Sequence, residues 1–372
     1  MSSFFTHWPW LLLLCIPLLI QWVYFIGYFS TLLIKSKSKT STADEPVSII
    51  VCAKNEAANL EKLVPILCSQ NHPCYEVIIV NDGSWDDSHM ILEAFKKNYP
   101  HLITLYLDPE KKLFSGKKLA ITLGIKAAKY DIIQLIDADC MPASKDWLSL
   151  MQKSIAPTRP LALGYSPYYK AKGLLNLFIR FETQITAMLY LSKAKKGKPY
   201  MGVGRNMTYT KKSFFDVKGF ANHHHIISGD DDLHVQNLAQ IFKANIVLSP
   251  NSFVYSHAKP NFDQWAEQKR RHLQVGKFYQ SDAKWFVGVF MFSNLIFLPI
   301  AILLLIFLTS LWQMIVAIVI ARYLINGTIF SLCSKKLADT STIIFYPLLD
   351  FLIQVYWIGF GIYVFFTKKK GW

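Results

Sequence analysis

Residues 8–34, WPWLLLLCIPLLIQWVYFIGYFSTLLI, contain no formally charged side chain. Such a run has one stable form in a folded chain, a helix crossing a bilayer, because about 20 helical residues span the roughly 30 Å hydrocarbon core. A cleavable secretory signal fits poorly. No lysine or arginine precedes the run, and it far exceeds the usual ~7–15-residue apolar stretch. Lys35, Lys37 and Lys39 follow at once, so the positive-inside rule places the N-terminus outside and residue 35 onward in the cytoplasm.

Three further apolar segments, about 286–308, 311–331 and 343–366, close the chain. The first two meet at Thr309-Ser310-Leu311, expected as a tight helical hairpin, which returns the chain to the cytoplasm at Lys335-Lys336. Pro347 and Asp350 interrupt the last segment, which crosses, re-enters or lies in the interface. The side on which Lys368-Lys369-Lys370 ends stays open. The expected organisation is an anchor over 1–40, a cytoplasmic domain over 45–275 and a membrane region over 284–372.

The intervening domain alternates strand-like and helix-like stretches. PVSIIVCAK (46–54), YEVIIVNDG (75–83) and LITLYLD (102–108) are short apolar strands. EAANLEKLVPILCSQ (56–70) and GKKLAITLGIKAAK (116–129) space apolar residues as amphipathic helices do. That β-α-β-α order predicts an α/β fold, a mainly parallel Rossmann-like sheet with helices on both faces. Strand ends then gather at one edge, bringing Asn55-Glu56, Asp82 and Asp137/Asp139 toward one crevice. LLNLFIRFETQITAMLYL (174–191) reads as an amphipathic helix, expected to pack on the core rather than on the membrane.

YDIIQLIDADCMP (130–142) carries the chemistry. Ile132 to Ile136 form a buried strand that ends in two carboxylates one residue apart, pointing the same way because extended side chains repeat every two residues. Two like charges so close need a cation between them or a shared proton. A hard divalent ion wants such oxygen ligands, whereas neither DGSWDD nor DADC continues as a calcium-binding EF-hand loop.

Composition narrows the partners. A net charge of +15 with 52% hydrophobic residues suits a membrane face or an anionic ligand such as a nucleotide. No zinc-finger spacing or RNA-recognition signature appears, so no nucleic-acid partner is expected. The six cysteines are scattered without a C-x-x-C pair, which fits a reducing compartment. Three adjacent histidines, His223-His224-His225, cannot all face one ion and are not taken as a metal site.

VSIIVCAKNEAANL, EVIIVNDGSWDDS, GKKLAITLGI, LIDADC, SGDDDL and QKRRHL follow one another in the order seen in family 2 glycosyltransferases of GT-A fold, and the chain resembles that family over about 45–275. The membrane-flanked layout resembles its integral-membrane branch. The resemblance implies a D-x-D at Asp137 and Asp139 holding Mg²⁺ or Mn²⁺ against the diphosphate of a nucleotide sugar, with a UDP-linked donor expected. It implies nucleotide contacts from Ala53, Glu56, Asp82, Lys117 and Asp137, although Asn81-Asp82-Gly83 could also form only a turn and Glu56 only a helix's first turn.

SGDDDL aligns Asp230 with the family's catalytic base, with Asp231 the choice if the alignment slips by one. Gly229 stands where the family has an acidic residue. Gln268 and Arg271 match the family's Q-x-x-R on the diphosphate, with His272 where a tryptophan stacks on the acceptor. Within GVGRNMTY, Asn206 is expected to reach the acceptor sugar.

The implied activity is inverting transfer to a membrane lipid or lipid-linked glycan, in a bacterial inner membrane. Two alternatives are a processive polysaccharide synthase and an inactive GT-A domain acting as scaffold or sugar-nucleotide sensor. The missing tryptophan at 272 and the few spans disfavour the synthase, and Gly229 and His272 are what favour the inactive domain.

Overall fold

The computed structural model describes residues 8–34, 43–108, 116–226 and 228–366. Lys35, Lys37, Lys39 and Lys368-Lys369-Lys370 lie outside them. The chain divides into two compact units. One comprises Met1–Lys35, Lys172–Ser192 and Tyr279–Trp372, the other Ser36–Ala171 and Lys193–Phe278.

The second unit is built on a seven-stranded sheet. Its strands are β1 (Val47–Ala53), β2 (Tyr75–Asn81), β3 (Leu102–Tyr106), β4 (Ile132–Asp137), β6 (Leu161–Gly164), β7 (Met207–Thr210) and β8 (Ala244–Val247), in the order β3-β2-β1-β4-β7-β6-β8. Strands β3, β2, β1 and β4 run parallel, while β7 is antiparallel to both β4 and β6. A separate ribbon pairs β5 (Cys140–Pro142) with β9 (Val254–Ser256). Helices α2 (Ala57–Leu67), α3 (Ser88–Asn98) and α4 (Lys118–Ala127) connect the parallel strands, and α5 (Trp147–Gln152) follows β5.

β1 and β4 are buried along almost their whole length, as strands covered on both faces must be, which is why they read as unbroken apolar runs. Leu60, Leu63 and Leu67 of α2 share one core with Ile49, Val51, Val77 and Ile79 of the sheet and with Trp147, Leu148 and Met151 of α5. The parallel half and its helices follow the sequence expectation; the antiparallel β7 and the β5–β9 ribbon were not foreseen, because short strands of three or four residues carry no period. Register aligns Ala53 with Asn81 and Cys52 with Asp137, so the ends of β1, β2 and β4 share one edge. Further along lie α7 (Lys211–Asp216), α8 (Asp232–Ala239) and α9 (Phe262–Val275).

The first unit is helical. Three stretches are long and apolar enough to cross a membrane: Leu11–Leu33, Ser281–Phe307 and Thr309–Lys336. The first opens with α1 (Leu11–Trp22); the others contain α10 (Ser281–Phe307) and α11 (Trp312–Lys336), joined at Thr309–Leu311 by the tight turn the sequence indicated. Leu14 and Leu18 of α1 pack with Phe297, Ala301 and Leu304 of α10 and Ile315 of α11. The last segment forms α12 (Tyr346–Phe366), a shorter apolar helix over its described part Tyr346–Ile362.

A polar knot sits inside these helices. The fully buried Arg322 guanidinium donates to Gln21 Oε1 (2.7 Å), Asn294 Oδ1 (3.1 Å) and both carboxylate oxygens of Asp350 (2.8 and 3.2 Å). Gln21 in turn donates to Ser293 O (2.9 Å), and Gln354 to Asp350 O (3.0 Å). A charge in hydrocarbon is tolerated only when paired and hydrogen-bonded in this way.

The helix expected over 174–191 forms as α6 (Leu174–Lys195), but its residues up to Ser192 belong to the helical unit, not to the sheet core. The reason is specific polar pairing that apolar spacing does not reveal. Arg180 donates to Asp339 (2.6 Å) and Ser341 (2.7 Å), Gln184 donates to Asp339 O (2.7 Å), and Phe181 packs on Phe330 and Tyr346.

Candidate active site

The shared strand edge opens on two interlocked loops. Asp82 N donates to Ala53 O (2.8 Å), tying the end of β2 to the end of β1. Asn55, held at φ 57°, donates its backbone N–H to Ser84 Oγ (2.9 Å) and accepts from Trp85 N at its side-chain oxygen (3.0 Å). Asn tolerates this left-handed conformation better than most residues. Asp86 accepts from Ala57 N (3.0 Å) and Ser88 N (3.1 Å), so this one carboxylate braces the starts of both α2 and α3. The sequence reading brought Asn55 to this edge but passed over Ser84, Asp86 and Ser88.

Asp137, the last residue of β4, is ion-paired with Lys117 at the N-terminus of α4, each about 32% exposed. Burial alone would raise the Asp137 carboxyl, yet the Lys117 charge overrides it and holds it below the usual carboxylate range. Burial alone would likewise lower Lys117, but Asp137 and then Asp230 hold it protonated well above the ordinary lysine range. Burial pushes the neighbouring Cys52 thiol up to about 12, and the charges of Lys117, Asp137, Asp230 and Asp82 all reach it. Four residues singled out from distant motifs therefore lie within electrostatic reach of one thiol.

Asp139 is exposed. Among the described residues, Asp137, Asp139 and Cys140 form the one group of possible metal ligands, with donor atoms within 4.8 Å of one another. Cys140 donates its thiol to Asp139 Oδ1 (3.2 Å), and burial holds that thiol well above its ordinary range. The pair of carboxylates, not the protonated sulfur, matches a hard divalent cation. Burial also raises Glu56 above the usual carboxylate range; the Asn59 amide opposes this from 2.6 Å, and Asp139 and Asp137 add to it.

Asp230 and Asp231 precede α8. Asp231 caps that helix, accepting from Asp232 N (2.8 Å), and its other oxygen accepts from Gly204 N (3.2 Å). Burial and then the Asp230 charge push the Asp231 carboxyl up to about 6, against those N–H groups. Asp231 is thus committed to the backbone, and Asp230 is the member whose charge reaches Lys117.

Gly229, where the family carries an acid, has φ +80°. A Cβ there would lie 2.9 Å from Leu233 of α8 and from Val275 of α9. A side chain in this turn would be strained at that φ and would force Leu233 or Val275 to shift, so the loop favours glycine.

Gln268 and Arg271 lie one turn apart on α9, both half-buried, and His272 beside them is exposed. The charges of Lys269, Arg205 and Arg271 all reach the His272 ring. Asn206 corrects the acceptor assignment. It is fully buried, donates to Tyr165 O (2.8 Å) and Ser252 O (2.9 Å), and accepts from Trp147 Nε1 (3.0 Å). Sealed from solvent with both amide hydrogens used, it anchors the core.

Its neighbour Arg205, unremarked in the sequence, faces the site instead. Its guanidinium donates to Ser166 Oγ (2.6 Å), lies 5.0 Å from the Tyr168 ring centre, and its charge reaches Asp137. A lone arginine in a stretch of small and apolar residues was the available signal.

The sequence pattern of Glycosyl transferase family 2 matches residues 48–217. Glycosyltransferase AglE of Haloferax volcanii is 32% identical over 233 residues, 62% of this chain and 72% of that one. Shorter stretches match polysaccharide and glycolipid synthases, of whose length this chain spans about a quarter or less. One is the beta-monoglucosyldiacylglycerol synthase of Nostoc sp., 37% identical over 100 residues, 26% of this chain and 21% of that one. The mannosyltransferase PcManGT from Pyrobaculum calidifontis, solved in complex with GDP-Man and Mn²⁺, shares the fold, with a TM-score of 0.58 and 16% identity over 85% of this chain and 97% of that one. On this sequence likeness and this mainly parallel, helix-flanked sheet, the chain belongs to the family 2 glycosyltransferases of GT-A fold.

Proposed function

We propose that this glycosyltransferase moves a sugar from a nucleotide sugar, with UDP the first donor to test, onto a membrane lipid or lipid-linked glycan, with inversion at the anomeric carbon. The observation that carries the reading is the Lys117–Asp137 ion pair at the edge where β1, β2 and β4 end, the edge at which open α/β folds bind ligands. Asp82 and Asp230 lie within electrostatic reach of the same Cys52 as that pair.

Asp82 and the loop after Ala53 take the nucleoside, with Glu56 beside them. Asp137 and Asp139 are the residues that would hold Mg²⁺ or Mn²⁺, which when bound supplies positive charge to the departing diphosphate. Lys117 and Arg271 add cations on the same side, the arginine in bidentate fashion. Gln268 accompanies Arg271 on the diphosphate side, and His272 borders the acceptor side. Asp230 removes the proton of the acceptor hydroxyl as its oxygen attacks the anomeric carbon from the face opposite the diphosphate. Holding donor and acceptor in line, away from water, supplies much of the acceleration.

The similarity to a glycolipid synthase supports a lipid acceptor. The three apolar helices support a membrane setting, with the sheet unit on the cytoplasmic side indicated by Lys35, Lys37 and Lys39. The inactive-scaffold alternative loses Gly229 as support, since the loop itself favours glycine there.

The test uses the full chain in lipid nanodiscs, given radiolabelled nucleotide sugars and membrane lipids. Label extracted into organic solvent is the expected result. Label retained in a polymer identifies a synthase, and no transfer from any donor favours the scaffold.

A further inference from the structure

Lys118 follows the ion-paired Lys117, and the two aim at different parts of the site. Lys118 is the first residue of α4 and is only 7% exposed. Its ammonium donates to three backbone carbonyls of one loop: His223 O (2.7 Å), Ile226 O (2.6 Å) and Ser228 O (3.0 Å). An ammonium has three donors and no acceptor, so every hydrogen is spent on this loop. Two residues beyond Ser228 lies Asp230.

The placement is electrostatically expensive. Cations are disfavoured at a helix N-terminus, where the backbone already presents positive charge. Burying an ammonium adds a desolvation cost that only full, charge-assisted hydrogen bonding offsets. A leucine or methionine would suit helix propensity as well. What lysine alone adds among common side chains is a compact triple donor on a flexible stem.

We propose that Lys118 is a positioning residue that clamps the 223–228 loop by its carbonyls and so holds Asp230 beside Lys117 and the donor. The proposal rests on the reading of Asp230 as the base. Consecutive lysines at one helix end thereby join the two carboxylate clusters, Lys117 to Asp137 and Lys118 to the loop that carries Asp230.

A pH dependence follows. Burial pushes Lys118 down to about 8, with Asp230 and Asp231 opposing that shift. The other titratable groups around it are Lys117 just before its helix, Lys126 on it, Lys218 beyond α7, and His223, His224 and His225 on the loop. As pH rises through about 8 the ammonium becomes an amine with two hydrogens, one carbonyl loses its donor, and the loop loosens.

The experiment compares wild type, Lys118→Met and Lys118→Arg in the full membrane-embedded chain. It reads nucleoside-diphosphate release across pH, donor KM, and hydrogen exchange of peptides covering 223–229. Expected for Lys118→Met are raised exchange there, a rate lower by about 100-fold, the scale of a 1 Å misplacement, and a donor KM within about twofold of wild type. Lys118→Arg keeps its charge through this range but lacks the compact triple donor, so it should protect the loop only in part and move the alkaline limb of the rate to higher pH than in wild type. Unchanged exchange in Lys118→Met, or the same alkaline limb in Lys118→Arg, overturns the proposal. Raised exchange with an undiminished rate, alongside a fully active Asp230→Asn, upholds the clamp and overturns the base assignment instead.

Discussion

Lys117 at the start of α4 and Asp137 at the end of β4 form an ion pair in which both partners are about a third exposed. In the proposed reading the lysine is a counter-charge for the donor's diphosphate and the aspartate a metal ligand. Here the two neutralise each other.

Replacing Asp139, exposed and hydrogen-bonded by the Cys140 thiol, separates chemistry from folding. Asp139→Ala should leave the melting temperature within about 2 °C of wild type, as surface changes usually do. It should weaken Mn²⁺ binding, followed by electron paramagnetic resonance, and slow transfer by about 100-fold or more. An unaltered Mn²⁺ titration contradicts a metal site at Asp137 and Asp139.

Asp230 and Asp231 act as a pair with divided duties. Asp230→Asn should reduce kcat by about 100- to 10,000-fold with little change in donor KM. Since Asp231 is pushed up to about 6, the pair takes up a proton as pH falls through that value, and the rate should fall with it. Asp231→Asn should move this acid limb to lower pH. It should also lose some stability, because one backbone N–H now held by its carboxylate is left without an acceptor. A pH–rate profile of each variant checks both statements.

Gly229 tests whether the loop tolerates the family's acid. Gly229→Glu meets Leu233 and Val275 at 2.9 Å and a φ of +80°, so a loss of about 1–3 kcal/mol is expected in denaturant unfolding, with transfer falling as the loop shifts. Stability and activity equal to wild type contradict the geometry.

Within the helical unit, Arg322→Met should leave Asp350 buried without its partner and cost about 3–5 kcal/mol. Arg322→Met combined with Asp350→Leu should recover part of that loss, because both charges leave together. Thermal unfolding in detergent of the two single variants and the double variant measures the coupling.

Much of the fold was legible because β1, β2 and β4 are covered on both faces and spell apolar runs that end in polar residues. Motif order singled out Asp82, Lys117, Asp137 and Asp230 as candidates, and the register of the strands explains why β1, β2 and β4 end at one edge. Contacts that depend on one side chain finding a distant partner were not. Asn206 reads as a sugar ligand until Trp147, Tyr165 and Ser252 are seen around it. The helix Leu174–Lys195 has spacing that suits either unit, and its place turns on Arg180 meeting Asp339. Lys118 drew no reading from the sequence, since only the chain's path brings three carbonyls from more than 100 residues away to its ammonium.

The most direct measurement is nucleoside-diphosphate release from a panel of sugar nucleotides by purified wild type and Asp230→Asn, with Mn²⁺, with Mg²⁺ and with EDTA, in the presence of membrane lipids. Release from one donor that requires a divalent cation, rises with lipid and is lost in Asp230→Asn is the expected result. Nucleotide binding without release from any donor, or full release by Asp230→Asn in EDTA, would contradict metal-dependent transfer by this site.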